Sequence, residues 1–191
     1  MWPWEHLAVA YVLYSLCTNL WLHRSPSTRE TIAVAIGSQL PDLVDKPLAW
    51  TFGLTETGYS IGHSIFVAPL ICVFVFAVVI RSDTVMPAVG FSLAYASHLV
   101  TDVLNPVRYG RPIEPRVVLW PLSSPPTGNH GGLVDHFVVY VLRDTTAIVE
   151  SGLTFQLGIQ LLLGVAVVGL WLSDGAPVLS DGWRVVRNTL Q

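Results

Sequence analysis

Histidine and aspartate residues stand inside apolar stretches of this chain, where ionisable groups are costly and often mark functional sites. His98 and Asp102 are four residues apart. On a helix this spacing places both on one side, with Cβ atoms about 5–6 Å apart. Asp42 and Asp45 follow Pro41 and are three residues apart. Two carboxylates on one side of a turn repel each other unless a cation lies between them or one is protonated. The pattern predicts a metal site.

Two further histidines lie at the ends of apolar stretches: His6 before the first, and His63 before the third. With the four residues above they supply three imidazoles and three carboxylates, enough nitrogen and oxygen ligands for a two-metal site. This donor set favours zinc, with manganese or iron as alternatives. Asp42 or Asp45 is also the candidate general base. The predicted ligands are His6, Asp42, Asp45, His63, His98 and Asp102.

These residues also have a structural interpretation. A hydrogen bond between His98 and Asp102 could lock two helices together. Lys46 could be the counter-ion of one aspartate, although it neutralises only one of the two. A lone histidine at a helix start, such as His6, is commonly an interfacial residue without a catalytic role. Both interpretations stay open from the sequence.

A long connection, residues 105–152, follows the stretch that contains His98 and Asp102. Its first part is rich in proline and glycine, which excludes a continuous helix there. Residues 134–149 have helical spacing and predict a helix. Connections of this length are commonly functional, so we expect this one to cover the site.

The same connection carries the candidate substrate-binding residues. Arg108 and Arg111 follow Asp102 closely, and a guanidinium group suits a phosphate because it donates two parallel hydrogen bonds. His130 and His136 are weaker candidates for a further ligand or a general acid.

The composition indicates a membrane protein. Of the 191 residues, 52% are hydrophobic and 12% are charged. The charged share is about half that of a soluble domain. The mean hydropathy is +0.56. A net charge of −3 gives no basic surface for a polyanion, so we expect no nucleic-acid partner. Cys17 and Cys72 lie inside apolar stretches and are expected to be free thiols.

Five apolar stretches are candidates for membrane-spanning helices, which need about 20 mainly apolar residues. The second is interrupted at Pro41 and is open to a broken or re-entrant form. We predict an all-α fold, a polytopic membrane helical bundle of about five membrane helices, with the long connection between the fourth and the fifth. Residues 1–172 form a single integral membrane domain and residues 173–191 a C-terminal tail. The stretches are Leu7–Leu22, Thr31–Leu40, Ser64–Ile80, Val85–Leu104 and Leu153–Leu172.

Alternate crossings at these five stretches place all six candidate ligands at or near one membrane face, with the long connection beside them. The opposite face carries more arginine in short loops, including Arg24, Arg29 and Arg81. Short cytoplasmic loops are enriched in arginine and lysine, so we expect the site to face outward. Membrane lipid is the expected partner of such a bundle.

The order of these motifs resembles a known family. His6 is followed by Pro-Asp-x-x-Asp at 41–45, Gly-His-Ser at 62–64, Ser-His-Leu-x-x-Asp at 97–102 and Trp-Pro at 120–121. The series resembles the LexA-binding, inner-membrane-associated metal-dependent hydrolases, which are small polytopic membrane proteins. That family is in turn distantly similar to zinc phospholipase C and P1-type nucleases, which share a His-x-x-x-Asp ligand pair on a helix.

The resemblance implies that His98 and Asp102 are metal ligands, with His6, Asp42 and His63 as others. It also implies a hydrolase of the inner (cytoplasmic) membrane, similar to phospholipase C. A metal site close to one membrane face suits phosphoesters such as lipid headgroups as substrates. Two other functions stay open for the same residues. One is a proton or ion relay, and the other is a non-enzymatic membrane scaffold in which the histidines and aspartates hold helices together.

Overall fold

The structure, a computed structural model, describes residues 1–126, 131–151 and 155–189. Over these residues the chain forms seven α-helices and two short 3₁₀ helices, without β-strands. The prediction of an all-α fold is confirmed. The helices are α1 (Pro3–Trp21), α2 (Thr28–Trp50), α3 (Ala68–Val79), α4 (Met86–Leu104), α5 (Leu133–Ser151), α6 (Phe155–Ser173) and α7 (Leu179–Thr189), and the 3₁₀ helices are Asn105–Tyr109 and Pro115–Val118.

Local sequence signals account for several helix starts. α1 begins at Pro3, a position where the missing proline N–H costs no hydrogen bond. The Glu5 carboxylate accepts a hydrogen bond from the Trp2 amide at 2.8 Å, which satisfies a donor just before the helix. The Met86 amide donates to the Thr84 hydroxyl at 3.2 Å, and α4 starts there.

Helix α2 differs from the broken form that the sequence leaves open for the second apolar stretch. Instead of ending at Pro41, α2 continues through Pro41 and Pro47 to Trp50. A proline inside a helix removes one backbone hydrogen bond and bends the helix, and surrounding contacts can outweigh that loss. Here the turn after Pro41 carries Asp42 and Asp45, whose side chains are held by contacts of their own.

The expectation of five membrane-spanning helices is not met. Within the described ranges, no helix combines the length and the apolar character that a membrane crossing requires. Helix α3 covers 12 residues, because Ser64–Val67 of the predicted stretch lie in turns before it. Helix α2 includes Asp42, Asp45 and Lys46.

The chain divides into two compact units, of which the first comprises Met1–Gln39, Leu70–His98 and Leu163–Gln191. Its buried core contains small and aromatic residues from α1, α2 and α4. Gly37 allows a close contact of α2 with α4, because a Cβ there would lie 2.3 Å from the Phe91 carbonyl oxygen. The core residues are Ala10, Tyr11, Tyr14, Val34 and Ala94.

The second unit comprises Leu40–Pro69 and Leu99–Leu162. Two hydrogen bonds tie the segment between α2 and α3 to the segment after α4. The Ile65 amide donates to the Val118 carbonyl at 3.0 Å, and the Ser64 hydroxyl donates to the Trp120 carbonyl at 2.7 Å. These contacts fix the part of the chain that carries His63.

Two further predictions concern the later part of the chain. The predicted helix at 134–149 corresponds to α5. Residues 173–191, predicted to be a tail, contain the turn at the end of α6 and helix α7. The role of the connection 105–152 as a cover of the site stays a prediction.

Candidate metal centre

The C-terminal half of α2 carries two buried aspartates with different partners. Asp42 and Asp45 are one turn apart on one side of the helix. The ammonium nitrogen of Lys46 lies 2.5 Å from Asp42 Oδ2. Asp45 makes its contacts with a segment after α2. Separate partners reduce the repulsion between the two carboxylates.

The carboxylate of Asp45 is enclosed by donors from the segment that follows α2. It accepts hydrogen bonds from the backbone amides of Ser60 (2.6 Å), Gly62 (2.8 Å) and His63 (3.0 Å), and from the Ser60 hydroxyl (2.8 Å). A Cβ on Gly62 would lie 2.8 Å from the Pro41 carbonyl oxygen and 3.3 Å from Asp45 Cγ. Glycine is therefore required for this close approach.

His63 is oriented by Asp45 and faces two other carboxylates. Its Nδ1 lies 2.8 Å from Asp45 Oδ2. Its Nε2 lies 3.5 Å from Asp42 Oδ1 and 3.4 Å from Asp102 Oδ2. In metal sites, a histidine whose Nδ1 is held by a carboxylate commonly presents Nε2 to the ion. The buried ring of His63 has this arrangement.

His98 is held in a similar way by a backbone carbonyl. Its Nδ1 lies 2.7 Å from the carbonyl oxygen of Ser38. A carbonyl only accepts hydrogen bonds, so Nδ1 is the donor and Nε2 is the ring nitrogen that could bind a metal. The His6 ring stacks on that of His98, with centroids 3.8 Å apart and an interplanar angle of 18°.

Four of the predicted ligands form one buried group: Asp42, His63, His98 and Asp102. Each offers one ligand atom, and these atoms lie within 4.8 Å of one another. α4 carries His98 one turn before Asp102, as their spacing predicts. This group of two imidazoles and two carboxylates could hold a metal ion.

The carboxylates change the proton affinities in the group. Burial lowers the pKa of His63, but the hydrogen bonds to Asp102 and Asp45 and the charges of Asp102 and Asp42 raise it to about 9. Burial raises the pKa of Asp45, but hydrogen bonds from His63 and from backbone amides hold that pKa below its usual range. Without a metal, the His63 ring is therefore protonated on both nitrogens at neutral pH. The carboxylates of Asp42 and Asp102, which face His63 Nε2, therefore favour a positive charge between them.

Two of the distances within the group are of the size that a metal site requires. Zinc binds histidine nitrogen and carboxylate oxygen at about 2.0–2.2 Å, so the edge of a tetrahedral site is about 3.3–3.6 Å. The distances from His63 Nε2 to the two carboxylate oxygens, 3.4 and 3.5 Å, fall in this range. The donor set of imidazoles and carboxylates suits zinc, manganese or iron.

One cationic side chain, that of Lys46, contacts the group. Lys46 is hydrogen-bonded to Asp42, and its nitrogen is 5.8 Å from the centre of the Trp50 ring. Arg108 is half-buried in the 3₁₀ helix that follows α4, and Arg111 is exposed after it. Their role as substrate-binding residues stays a prediction.

The structure places the other two predicted ligands beside the group. His6 is buried and stacks on His98. Asp45 is buried, and its carboxylate is surrounded by hydrogen-bond donors from Ser60, Gly62 and His63. Both therefore contact a ligand of the group.

Two residues that hold the group were not identified from the sequence. Ser60 contributes an amide and a hydroxyl to Asp45, and Ser38 contributes a carbonyl to His98. Every residue has a backbone carbonyl and nearly every residue an amide, so the sequence does not show which of these groups contact the site. The glycine before His63 was a weak signal for the close contact with Asp45.

Of the two weaker histidine candidates, the structure describes His136, which is not part of the group. His136 is buried on α5 and stacks on Trp50, with ring centroids 4.2 Å apart. Its Nδ1 lies 3.1 Å from the Gly132 carbonyl oxygen. His130 lies outside the described residues.

The fold and the group describe an all-α protein with a buried site suited to a metal. The family model of the YdjM inner membrane protein matches residues 1–176. The chain therefore belongs to the YdjM inner membrane protein family. This match supports the inner-membrane part of the resemblance, while LexA binding and hydrolase activity stay predictions. Comparison with curated proteins and with solved structures gives no match.

Proposed function

We propose that this chain is a metal-dependent hydrolase of the inner membrane that acts on phosphoesters. Asp42, His63, His98 and Asp102 hold the ion, which we propose to be zinc. The observation that carries the proposal is that ligand atoms of these four buried residues lie within 4.8 Å of one another, with both histidine rings oriented through Nδ1.

The residues of the group take different roles in this proposal. A bound divalent ion supplies an activated water and neutralises charge that develops on a phosphoryl group. Asp45 is a positioning residue, because its carboxylate holds the His63 ring through Nδ1. Asp42 is a ligand through Oδ1, while its Oδ2 is hydrogen-bonded to Lys46. Asp42 and Asp45 are the candidates for the general base from the sequence, and the contacts of the two residues do not choose between them.

The substrate class is supported by positive charge and by the family. Lys46 contacts the ligand Asp42, and Arg108 and Arg111 follow the ligand Asp102 along the chain. Ammonium and guanidinium groups bind phosphate oxygens through charge-assisted hydrogen bonds. The family is one of inner membrane proteins. We therefore propose a phosphoester such as a lipid headgroup as the substrate.

Metal content of the purified full chain tests the site. We expect close to one zinc, manganese or iron ion per chain by elemental mass spectrometry, and loss of that ion in His63→Ala and in the His98→Ala/Asp102→Ala double variant. His136→Ala is the matched control, because His136 is also buried but lies outside the group. Full metal content in folded His63→Ala contradicts the proposed ligands.

Activity is tested separately with phosphoester probes. Bis(p-nitrophenyl) phosphate and vesicles of phosphatidylglycerol provide a generic diester and a lipid headgroup. We expect metal-dependent release of p-nitrophenol or of glycerol phosphate, abolished in His63→Ala. A metal-loaded protein without turnover of any phosphoester would contradict the hydrolase and leave the metal site intact.

One observation favours a structural role of the group instead. The raised pKa of His63 allows a proton to lie among the three carboxylates in place of a metal. A non-enzymatic scaffold of this kind predicts no bound metal after incubation with each ion, and a stability that chelators do not change. The metal analysis above separates this alternative from the hydrolase.

A further inference from the structure

Helix α7 presents an unusual surface at the C-terminal end of the first unit. Leu179, Trp183 and Val186 follow one another at intervals of four and three residues, so they form one stripe along the helix. The relative exposures of their side chains are 64%, 70% and 48%. These three residues are called the α7 stripe below. Large apolar side chains on one face of a short helix indicate a docking surface.

The opposite side of α7 is attached to the rest of the first unit. The Asp181 carboxylate accepts a hydrogen bond from the Thr28 hydroxyl at 2.6 Å. The same hydroxyl accepts one from the Val178 amide at 2.9 Å. Asp181 lies two residues from both Leu179 and Trp183, which places it on the other side of the helix. The attachment therefore turns the α7 stripe away from the contact with Thr28.

A second network fixes the turn that leads into α7. The Asp174 carboxylate accepts hydrogen bonds from Tyr11 (2.8 Å), Ser15 (2.6 Å) and Asn19 (2.8 Å) of α1. The Trp171 indole donates to the Pro177 carbonyl at 3.1 Å. These contacts hold α7 at the end of the unit where α1 ends and α2 begins. The helix is thus a fixed element with an exposed apolar face.

Two arginines of α7 are close to the α7 stripe along the chain. Arg187 lies one turn after Trp183, and Arg184 lies between them. Arg184 forms an exposed ion pair with Asp181 at 3.3 Å, which leaves further guanidinium donors for another anion. Arg29 is exposed and follows Thr28, the residue that attaches α7. Trp21, at the end of α1, is 76% exposed.

We propose that α7 docks on the surface of an anionic phospholipid bilayer. The α7 stripe enters the boundary between headgroups and acyl chains, and Arg184 and Arg187 contact lipid phosphates. Interfacial helices combine an apolar face, an aromatic residue and flanking arginine in this way. The family match ends at residue 176, before α7, so this surface is additional to the matched region. The inference does not depend on the metal centre or on hydrolase activity.

Hydrogen exchange of the full chain reconstituted in vesicles tests the docking. The amide exchange of residues 179–189 is compared between vesicles of phosphatidylcholine alone and vesicles with about one third phosphatidylglycerol. We expect exchange at least tenfold slower in the anionic vesicles, with much of this protection lost at high salt because counterions screen the arginines. Equal exchange in both vesicles and in detergent would overturn the proposal.

Three variants separate the contributions. Trp183→Ser/Val186→Ser removes the apolar contact and Arg184→Gln/Arg187→Gln removes the charge, and each is expected to abolish most of the protection. Val185→Ser is the matched control, because Val185 is equally exposed but lies away from the α7 stripe. Protection that follows the protein-to-lipid ratio rather than lipid charge would instead assign the surface to a second copy of the chain. That result also overturns the proposal.

Discussion

Asp45 is a buried carboxylate that stays ionised because donors surround it. Burial alone would favour the protonated acid. The His63 ring and the backbone amides of Gly62 and Ser60 oppose this and lower its pKa. The same contacts fix the orientation of the His63 ring. The role proposed for Asp45 is therefore to position a ligand.

Asp45→Asn tests this role, because the substitution keeps the size of the side chain and removes its charge. One oxygen becomes an amide nitrogen that cannot accept from these donors. We expect zinc affinity to fall by about 10–100-fold, the usual cost of losing the partner of a ligating histidine. Competition with a chromophoric chelator measures the change. Asp83→Asn, at an exposed site, is the control and should bind as the wild type does.

Metal binding is expected to depend on pH through His63. Its pKa of about 9 means that Nε2 carries a proton at neutral pH, and a metal must displace that proton. The apparent affinity should therefore rise by about tenfold per pH unit below pH 9 and level off above it. Calorimetry in buffers of different ionisation enthalpy measures the protons released per ion. If metal binding at pH 7.5 releases no proton, this prediction is contradicted.

At the scale of helices, close contact between α2 and α4 depends on Gly37. A methyl group there would lie 2.3 Å from the Phe91 carbonyl oxygen, a backbone atom that cannot move away without shifting α4. We expect Gly37→Ala to lower the free energy of unfolding by about 1–3 kcal/mol. Chemical unfolding followed by circular dichroism measures it.

Gly158→Ala is the matched control for Gly37→Ala. Gly158 lies on α6, and apart from the neighbouring backbone of that helix no atom of the described residues lies within 4 Å of the position that its Cβ would take. The higher helix propensity of alanine should leave stability unchanged or raise it by about 1 kcal/mol. An equal loss of stability in both variants would show that the contact of Gly37 with α4 has no special importance.

The start of α2 is held by an ion pair between the buried Glu30 and the partly exposed Arg24. Arg24 donates two hydrogen bonds of 2.8 Å to the Glu30 carboxylate, and the Ser27 amide donates a third at 3.0 Å. Burial raises the pKa of Glu30, but these bonds outweigh burial and lower it. Because the folded pKa is below the unfolded value, this contribution is present above the unfolded pKa and is lost as the pH falls through the folded pKa.

Glu30→Gln is expected to cost about 1–3 kcal/mol at pH 7, because it removes a hydrogen-bonded charge opposite Arg24. The difference from the wild type should shrink as the pH falls below the unfolded pKa of about 4.3 toward the lower folded pKa, because the unfolded chain then takes up the proton first. Unfolding measured at pH 7 and at pH 3.5 tests the sign. A difference that grows at low pH would contradict the role of the ion pair.

At the scale of the whole molecule, a metal that binds only the folded chain must stabilise it. At a free ion concentration of 100 times Kd the gain is about 2.7 kcal/mol. For a chain of this size that corresponds to a rise in Tm of about 5–10 °C. Thermal unfolding with zinc and with a chelator measures the shift. His63→Ala should show no shift, and an equal shift in that variant would place the ion elsewhere.

Local patterns in the chain are enough to predict most of the helices and the residue types of the site. Apolar stretches at helical length correspond to α1, α4 and α6, because burial of apolar groups follows from local composition. The pair His98 and Asp102 is predictable because both lie on one helix, where spacing fixes proximity. The separation of His136 from the group depends on other parts of the chain, and no spacing rule predicts it.

The division of roles among the site residues arises only when distant segments meet in the folded chain. Asp42 and Asp45 are equivalent in the sequence, yet one faces His63 Nε2 and the other holds Nδ1. This difference arises from the backbone of Ser60 and Gly62, which meets α2 through folding. The helical continuation through Pro41 and the orientation of α7 have the same origin. In each case the free energy gained from burial and hydrogen bonds between distant segments exceeds the cost of departing from the locally preferred conformation.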